Sequence, residues 1–208
     1  MSILNVLLSA DHLAVTVDTL AQDAQTGAHS EGAKLLLIPQ HNAVLATRGS
    51  AQFFLRIYEL CLQASFRADF TIERLSGELG GVIDRLWPNY VRAAAAAGIP
   101  VSAMHTELVL GGWSAHAQRM VATAYAKSED GHPAVVQPLV GGLASPGEPL
   151  RNQPAGMGRA ELMAAGRLQA AYLNGDSERP LAGGRLLAAI LSKGQAVGAH
   201  LKLTQAAR

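Results

Sequence analysis

The sequence predicts an α+β fold, a four-layer αββα sandwich of two antiparallel sheets flanked by helices. Three observations predict it. Short apolar runs joined by tight turns open the chain, which implies hairpins and antiparallel pairing. Two helical patterns follow in one block rather than alternating with strands, which argues against a doubly wound sheet. Strand patterns then return, interrupted by one further helix, and two face-to-face sheets covered by helices would bury all of these patterns.

Each element has its own signal. Ile3 to Ser9 is short and apolar, and Ala10-Asp11-His12 reads as a hairpin turn into Leu13 to Asp18, where Leu13, Val15 and Val17 alternate. Residues Gln22 to Gly32 are polar, hold two glycines and read as a loop. Lys34 to Pro39 and Ala43 to Thr47 form a second hairpin around Gln40-His41-Asn42. Ser50 caps a helix carrying Phe53, Phe54, Ile57, Tyr58, Leu60 and Cys61 at helical spacing. Thr71 caps another, with Ile72, Leu75, Leu79, Val82, Ile83 and Leu86 on its apolar side; Gly80-Gly81 weakens it and Pro88 kinks or ends it. Ala93 to Ala97 is helical up to Gly98. Strands return at Val101 to Leu110, Met120 to Lys127 and Ala134 to Val140, with turns at Gly111-Gly112 and Asp130-Gly131. Gly141 to Gly158 reads as a loop and Arg159 to Asn174 as a helix. Arg185 to Leu191 and Val197 to Leu203 are the last strands, joined through Ser192-Lys193-Gly194. No linker or repeat interrupts this order, so residues 1–208 read as a single domain.

Composition excludes several classes. The 208 residues carry a net charge of only +1 and no basic patch, so nucleic acid is not an expected partner. No apolar run reaches the roughly 18 residues of a membrane-spanning helix, and the N-terminus lacks the basic region of a signal peptide. The cytoplasm is the expected location and no membrane is expected as a partner. One cysteine, Cys61, allows neither an internal disulfide nor a thiolate metal site, and the seven histidines are scattered. Gly156-Met157-Gly158 follows a loop, not a strand, so it is no dinucleotide fingerprint. Trp87 and Trp113 read as core or subunit contacts. No cofactor or metal is expected.

Three residues stand out by spacing. Ser2 follows the initial methionine. Asp18 ends the run Val15-Thr16-Val17-Asp18, and Lys34 opens Lys34-Leu35-Leu36-Leu37-Ile38; each lies sixteen positions after the one before it. This spacing, the small-residue turn Ala46-Thr47-Arg48-Gly49-Ser50 and the element order resemble the proteasome β-subunit and HslV family of N-terminal nucleophile hydrolases. Among subtypes the resemblance is to the betaproteobacterial proteasome homologue.

The resemblance implies that Ser2, once Met1 is removed, is the nucleophile, with Asp18 and Lys34 supporting it. It implies that backbone N–H groups at Arg48 and Gly49 hold the oxyanion, and that Ala21, Ala46 and Ser50 border the substrate pocket. Asp176 and Ser177 are candidates for further support. The residue types suit these roles. A serine hydroxyl needs a base, and an α-amine with a pKa of about 7.7–8.0 supplies one on the same residue. A neighbouring lysine favours the alkoxide, and an aspartate orients the lysine.

Three functional readings follow. The first is a self-compartmentalising peptidase of identical subunits in a stacked double ring, two rings of seven by resemblance, acting on unfolded polypeptides with a ring-shaped ATPase unfoldase as a partner. The second is a ring-forming scaffold or binding chamber without turnover, favoured by Arg48 where the family carries glycine, by Gly142 where it carries serine, and by any retention of Met1. The third is an amidase of the same fold acting on a small molecule.

Overall fold

The computed structural model describes residues 2–100, 104–153, 155–175, 177 and 179–203. Among them are twelve strands and three α-helices. The first half runs β1 (Leu4–Leu8), β2 (His12–Asp18), β3 (Leu20–Gln22), β4 (His29–Glu31), β5 (Leu35–Ile38), β6 (Ala43–Gly49), α1 (Ala51–Ser65) and α2 (Ile72–Ala96). The second half runs β7 (Thr106–Ser114), β8 (Arg119–Lys127), β9 (Val135–Pro138), β10 (Gly142–Ser145), α3 (Arg159–Asn174), β11 (Arg185–Ser192) and β12 (Gln195–Lys202).

These strands form three antiparallel sheets, in the orders β10-β1-β2-β11-β12, β5-β6-β7-β8-β9 and β3-β4. This corrects the expected four-layer sandwich flanked by helices. Strands dominate, a third sheet is present, and only three α-helices serve all of it. Their distribution is uneven. Phe53, Phe54 and Ile57 of α1 and Leu79, Ile83 and Trp87 of α2 pack on Ile38, Leu45, Leu108 and Leu110 of one sheet, whereas the other meets α3 through Leu162 against Leu186 and Leu201. Between the two large sheets lie Leu4, Val6, Val15 and Val17 from one and Val44, Ala46 and Val109 from the other. Burying each such large side chain contributes roughly 1.5–3 kcal/mol.

The departures from expectation share a cause. β3, β4 and β10 are only three or four residues long, and backbone pairing rather than an apolar period defines them: β4 is exposed, and β10 is an edge strand beside β1. Gly111-Gly112 is not a turn but the middle of β7, paired with Ala122 and Val121. A side chain at Gly112 would press on the Asn42 carbonyl, so the glycine permits close backbone approach. Pro88 lies inside a continuous α2; one lost backbone bond is offset by the burial of Ile83, Trp87 and Ala94 around it. Residues 101–103, expected as a strand start, lie outside the described residues. No helix among the described residues is long and apolar enough to cross a membrane.

Candidate active site

At one end of the structure the two large sheets stop being apolar on their facing sides. Here β2 ends in Asp18, β1 begins after Ser2, β6 ends in Gly49, and Lys34 stands immediately before β5. The chain brings these ends together by backbone hydrogen bonds. Thr47 N–H donates to the Lys34 carbonyl at 2.8 Å, extending the β5-β6 ladder to the lysine.

Ser2, Asp18 and Lys34 are in mutual contact. The Ser2 hydroxyl donates to Asp18 Oδ1, and Lys34 Nζ donates to Ser2 Oγ at 2.7 Å. Lys34 Nζ also donates to Asp18 Oδ1 at 3.1 Å and to the Leu20 carbonyl. An ammonium has three N–H bonds, and three acceptors surround this one. All three side chains are buried, with Ser2 at 4 %, Asp18 at 0 % and Lys34 at 5 % exposure. Burial pushes the Lys34 pKa below the ordinary 10.5, while the Asp18 carboxylate pulls it back up through its charge and its hydrogen bond.

Asp18 does more than hold the lysine. Its Oδ1 also accepts the Ile3 N–H at 3.0 Å, and its Oδ2 accepts the Gly183 N–H at 3.2 Å. One carboxylate thus fixes the serine hydroxyl, the lysine, the backbone just ahead of β1 and the loop before β11. Ser2 Oγ accepts a hydrogen bond from the lysine and donates one to the carboxylate, so it is polarised from both sides.

The remaining expected residues fall nearby in different roles. Arg48 and Gly49 are the last two residues of β6, directly ahead of the N-terminus of α1. Gly49 has φ +122°, and a side chain there would collide with the His105 carbonyl. Gly49→Ala is therefore expected to lower unfolding free energy by about 1–3 kcal/mol, visible as an earlier urea midpoint. An unchanged midpoint would show that this turn relaxes freely. Ser50 caps α1, accepting the Phe53 N–H at 3.3 Å. Ala46 is buried in the cluster between the sheets, and Ala21 lies half-buried in β3 opposite Ser30. No hydrogen bond joins Ala21, Ala46 or Ser50 to the three central residues among the described residues. Asp176 lies outside the described residues, and the Ser177 hydroxyl is taken by the Arg179 carbonyl at 2.6 Å.

Several contributors carry no side-chain signal in sequence. The Leu20 carbonyl and the Gly183 N–H act through backbone atoms. The Gly183-Gly184 doublet is the visible trace of the second: Gly184 has φ +72°, and a side chain there would strike Thr19 Oγ1, which accepts the Arg185 N–H at 2.8 Å. Elsewhere, Cys61 is packed among Phe54 and Ile57, and burial pushes its thiol up to about 12, which leaves it without nucleophilic character at neutral pH. Trp87 is core, edge-to-face with Phe53 and tilted against Tyr90, whereas Trp113 lies half-buried under Lys193.

No protein-family model matches the sequence, and neither does any curated protein. Solved structures do match. Anbu (ancestral β-subunit) from Yersinia bercovieri aligns with a TM-score of 0.66 over 97 % of this chain and 87 % of its own, at 13 % identity. The chain has an Anbu-like fold. A mutant of Anbu from Hyphomicrobium sp. strain MC1 aligns with a TM-score of 0.63 over 97 % of this chain and 88 % of its own, at 14 % identity. This corrects the sequence resemblance. The structural neighbours are Anbu proteins, a proteasome-like but distinct family, and no sequence match supports the proteasome β-subunit, HslV or the betaproteobacterial homologue. Spacing and element order misassigned the subtype because they follow the strand ladder and turns, which an Anbu-like fold accommodates at 13 % identity.

Proposed function

We propose that the chain is a single-domain subunit of a proteasome-like, self-compartmentalising peptidase in which Ser2 is the nucleophile. The observation that supports this most is the mutual contact of Ser2, Asp18 and Lys34 in a buried site. The Anbu-like fold supports it independently.

Removal of Met1 frees the Ser2 α-amine. That amine accepts the hydroxyl proton as Ser2 Oγ attacks the substrate carbonyl, giving a tetrahedral oxyanion. Backbone N–H groups at the Arg48-Gly49 turn, beside the positive end of α1, stabilise the oxyanion. The amine then passes the proton to the leaving nitrogen, and the C–N bond breaks to leave an acyl ester on Ser2. Water, deprotonated by the same amine, hydrolyses the ester and restores the hydroxyl. Lys34 opposes protonation of the neighbouring amine by charge repulsion, and Asp18 holds Lys34 in place. Ala21, Ala46 and Ser50 border the pocket for the residue before the cut. The substrates are unfolded polypeptides, and the assembly is a stacked double ring of identical subunits, with a ring-shaped ATPase as the supplier of unfolded chain.

The test combines intact mass, particle size and cleavage, all on protein purified from its own cell. A mass lacking Met1, a ring-sized particle and cleavage of an unstructured polypeptide are the expected results. A ring that retains Met1 and cleaves nothing would replace this reading with the scaffold. A monomer or dimer that hydrolyses only small amides would replace it with the amidase.

A further inference from the structure

We propose that the Arg48 side chain is a positioning residue: it ties β6 to β10 across the two large sheets and thereby holds the turn at Gly49 in place relative to Ser2. The catalytic consequence rests on the reading of Ser2 as nucleophile, whereas the positioning itself does not.

The two halves of the site belong to different sheets. Ser2 leads into β1 of one sheet, and Gly49 ends β6 of the other. What joins these sheets over most of their area is apolar packing, which is strong but non-directional. Acyl transfer needs its nucleophile and oxyanion donors placed within about 0.5 Å of the productive geometry. Directed links between the sheets at this end are therefore the contacts that matter.

Lys34 supplies one such link, from the start of β5 to Ser2 and Asp18. Arg48 supplies another. Arg48 and Glu107 are direct cross-strand partners, two residues beyond the pair Ala46 and Val109, which face the other sheet. The same face therefore ends in a charged pair. Arg48 Nη1 contacts both Glu107 carboxylate oxygens at 3.4 Å, and it donates to Ser145 Oγ on β10 of the opposite sheet. Ser145 Oγ also lies 3.5 Å from Glu107 Oε2. Ser145 is paired with Leu4 of β1. Leu4 is two residues from Ser2, roughly 7 Å along an extended chain. The path Gly49, Arg48, Ser145, Leu4, Ser2 is thus short.

A second tie fixes the receiving end. Gln169 of α3, fully buried, exchanges two hydrogen bonds with Asn5 of β1 at 2.6 and 2.7 Å and donates to the Pro146 carbonyl at 2.8 Å. Ser145 therefore sits between two anchored neighbours, Ala144, which pairs with Asn5, and Pro146 after it. The Arg48 side chain is only 16 % exposed, and its Nε is buried with no acceptor among the described residues. An apolar side chain of similar length would fill the same space without that cost, so it is the Nη1 contacts that justify an arginine here. Glu107 already neutralises the guanidinium, which argues against its serving as a receptor for acidic substrates.

The test uses Arg48→Met, which keeps the length and removes the donors, alongside Arg48→Lys and Ser145→Ala. Amide hydrogen exchange at residues 47–50 is expected to rise by about tenfold in Arg48→Met, with Arg48→Lys between it and the parent. Hydrolysis is expected to lose about 10- to 100-fold in kcat with KM unchanged, because the turn is misplaced rather than the substrate unbound. Unchanged exchange at 47–50 in both Arg48→Met and Ser145→Ala overturns the inference. Faster exchange without any parental hydrolysis would leave the positioning role standing and remove the proposed peptidase instead. Should Arg48→Met fail to fold, Ser145→Ala, which removes only the far acceptor, carries the same two readouts.

Discussion

Replacing Ser2 with alanine is expected to lower hydrolysis of an unstructured polypeptide by at least about a thousandfold, while the protein still folds and assembles. The expectation comes from what one oxygen does in the site. Ser2 Oγ is the acceptor for Lys34 and the donor to Asp18, and in the proposed mechanism it is the attacking oxygen. Its loss removes the attacking atom yet leaves the Lys34–Asp18 ion pair at 3.1 Å and the backbone bonds to Asp18 in place. Activity and stability should therefore separate. The thermal midpoint should shift little, because the lysine and carboxylate keep each other. Ser2→Cys and Ser2→Thr should each retain measurable turnover, since both keep a nucleophile on the residue that bears the amine. Equal cleavage by Ser2→Ala and the parent would remove Ser2 from the mechanism and, with it, the function proposed here.

The site was legible in sequence where side chains carry it, and illegible where backbone or long-range packing does. Ser2, Asp18 and Lys34 stood out because their spacing resembles that of the proteasome β-subunit family, and the structure places them in contact. The Leu20 carbonyl and Gly183 N–H have no residue-type signature, so neither could be read from the chain. Arg48 was expected for its backbone N–H, and its side chain was legible only as an oddity. Its partner Ser145 lies ninety-seven positions away on β10, which a Gly- and Pro-rich segment disguised as loop. The same blindness explains the fold. The helices α1 and α3 and the strands β1, β2, β5, β6 and β8 announce themselves by apolar period. β3, β4 and β10 are short and held largely by their ladders, and so short a ladder leaves no periodic trace. The subtype was misread for a related reason. Residue spacing reports the ladder, and the ladder is common to proteins that share little sequence.

Asp18 is where fold and chemistry are hardest to separate, so its substitution should have the largest combined effect. Asp18→Ala would leave the Lys34 ammonium buried without a counter-charge and strand the Ile3 and Gly183 N–H groups. Breaking a buried pair in this way costs about 3–5 kcal/mol, enough to bring a domain of ordinary stability near its unfolding threshold. Asp18→Asn is the sharper probe, because it keeps the shape and an acceptor but removes the charge. In the parent, burial lowers the Lys34 pKa and Asp18 partly restores it. Without the carboxylate, burial acts nearly alone, and the folded-state pKa of Lys34 falls further below 10.5. Between that lower value and 10.5 the unfolded chain holds a proton that the folded variant has shed, so stability rises with pH across this window. The parent gains in the same sense, but only over the narrower window above its own, higher folded-state pKa. The stability deficit of Asp18→Asn should therefore shrink as pH is raised through the alkaline range, measured by urea unfolding at a series of pH values. A deficit independent of pH would mean that Lys34 keeps its proton without Asp18, and that the aspartate acts on Ser2 and the backbone rather than through the lysine.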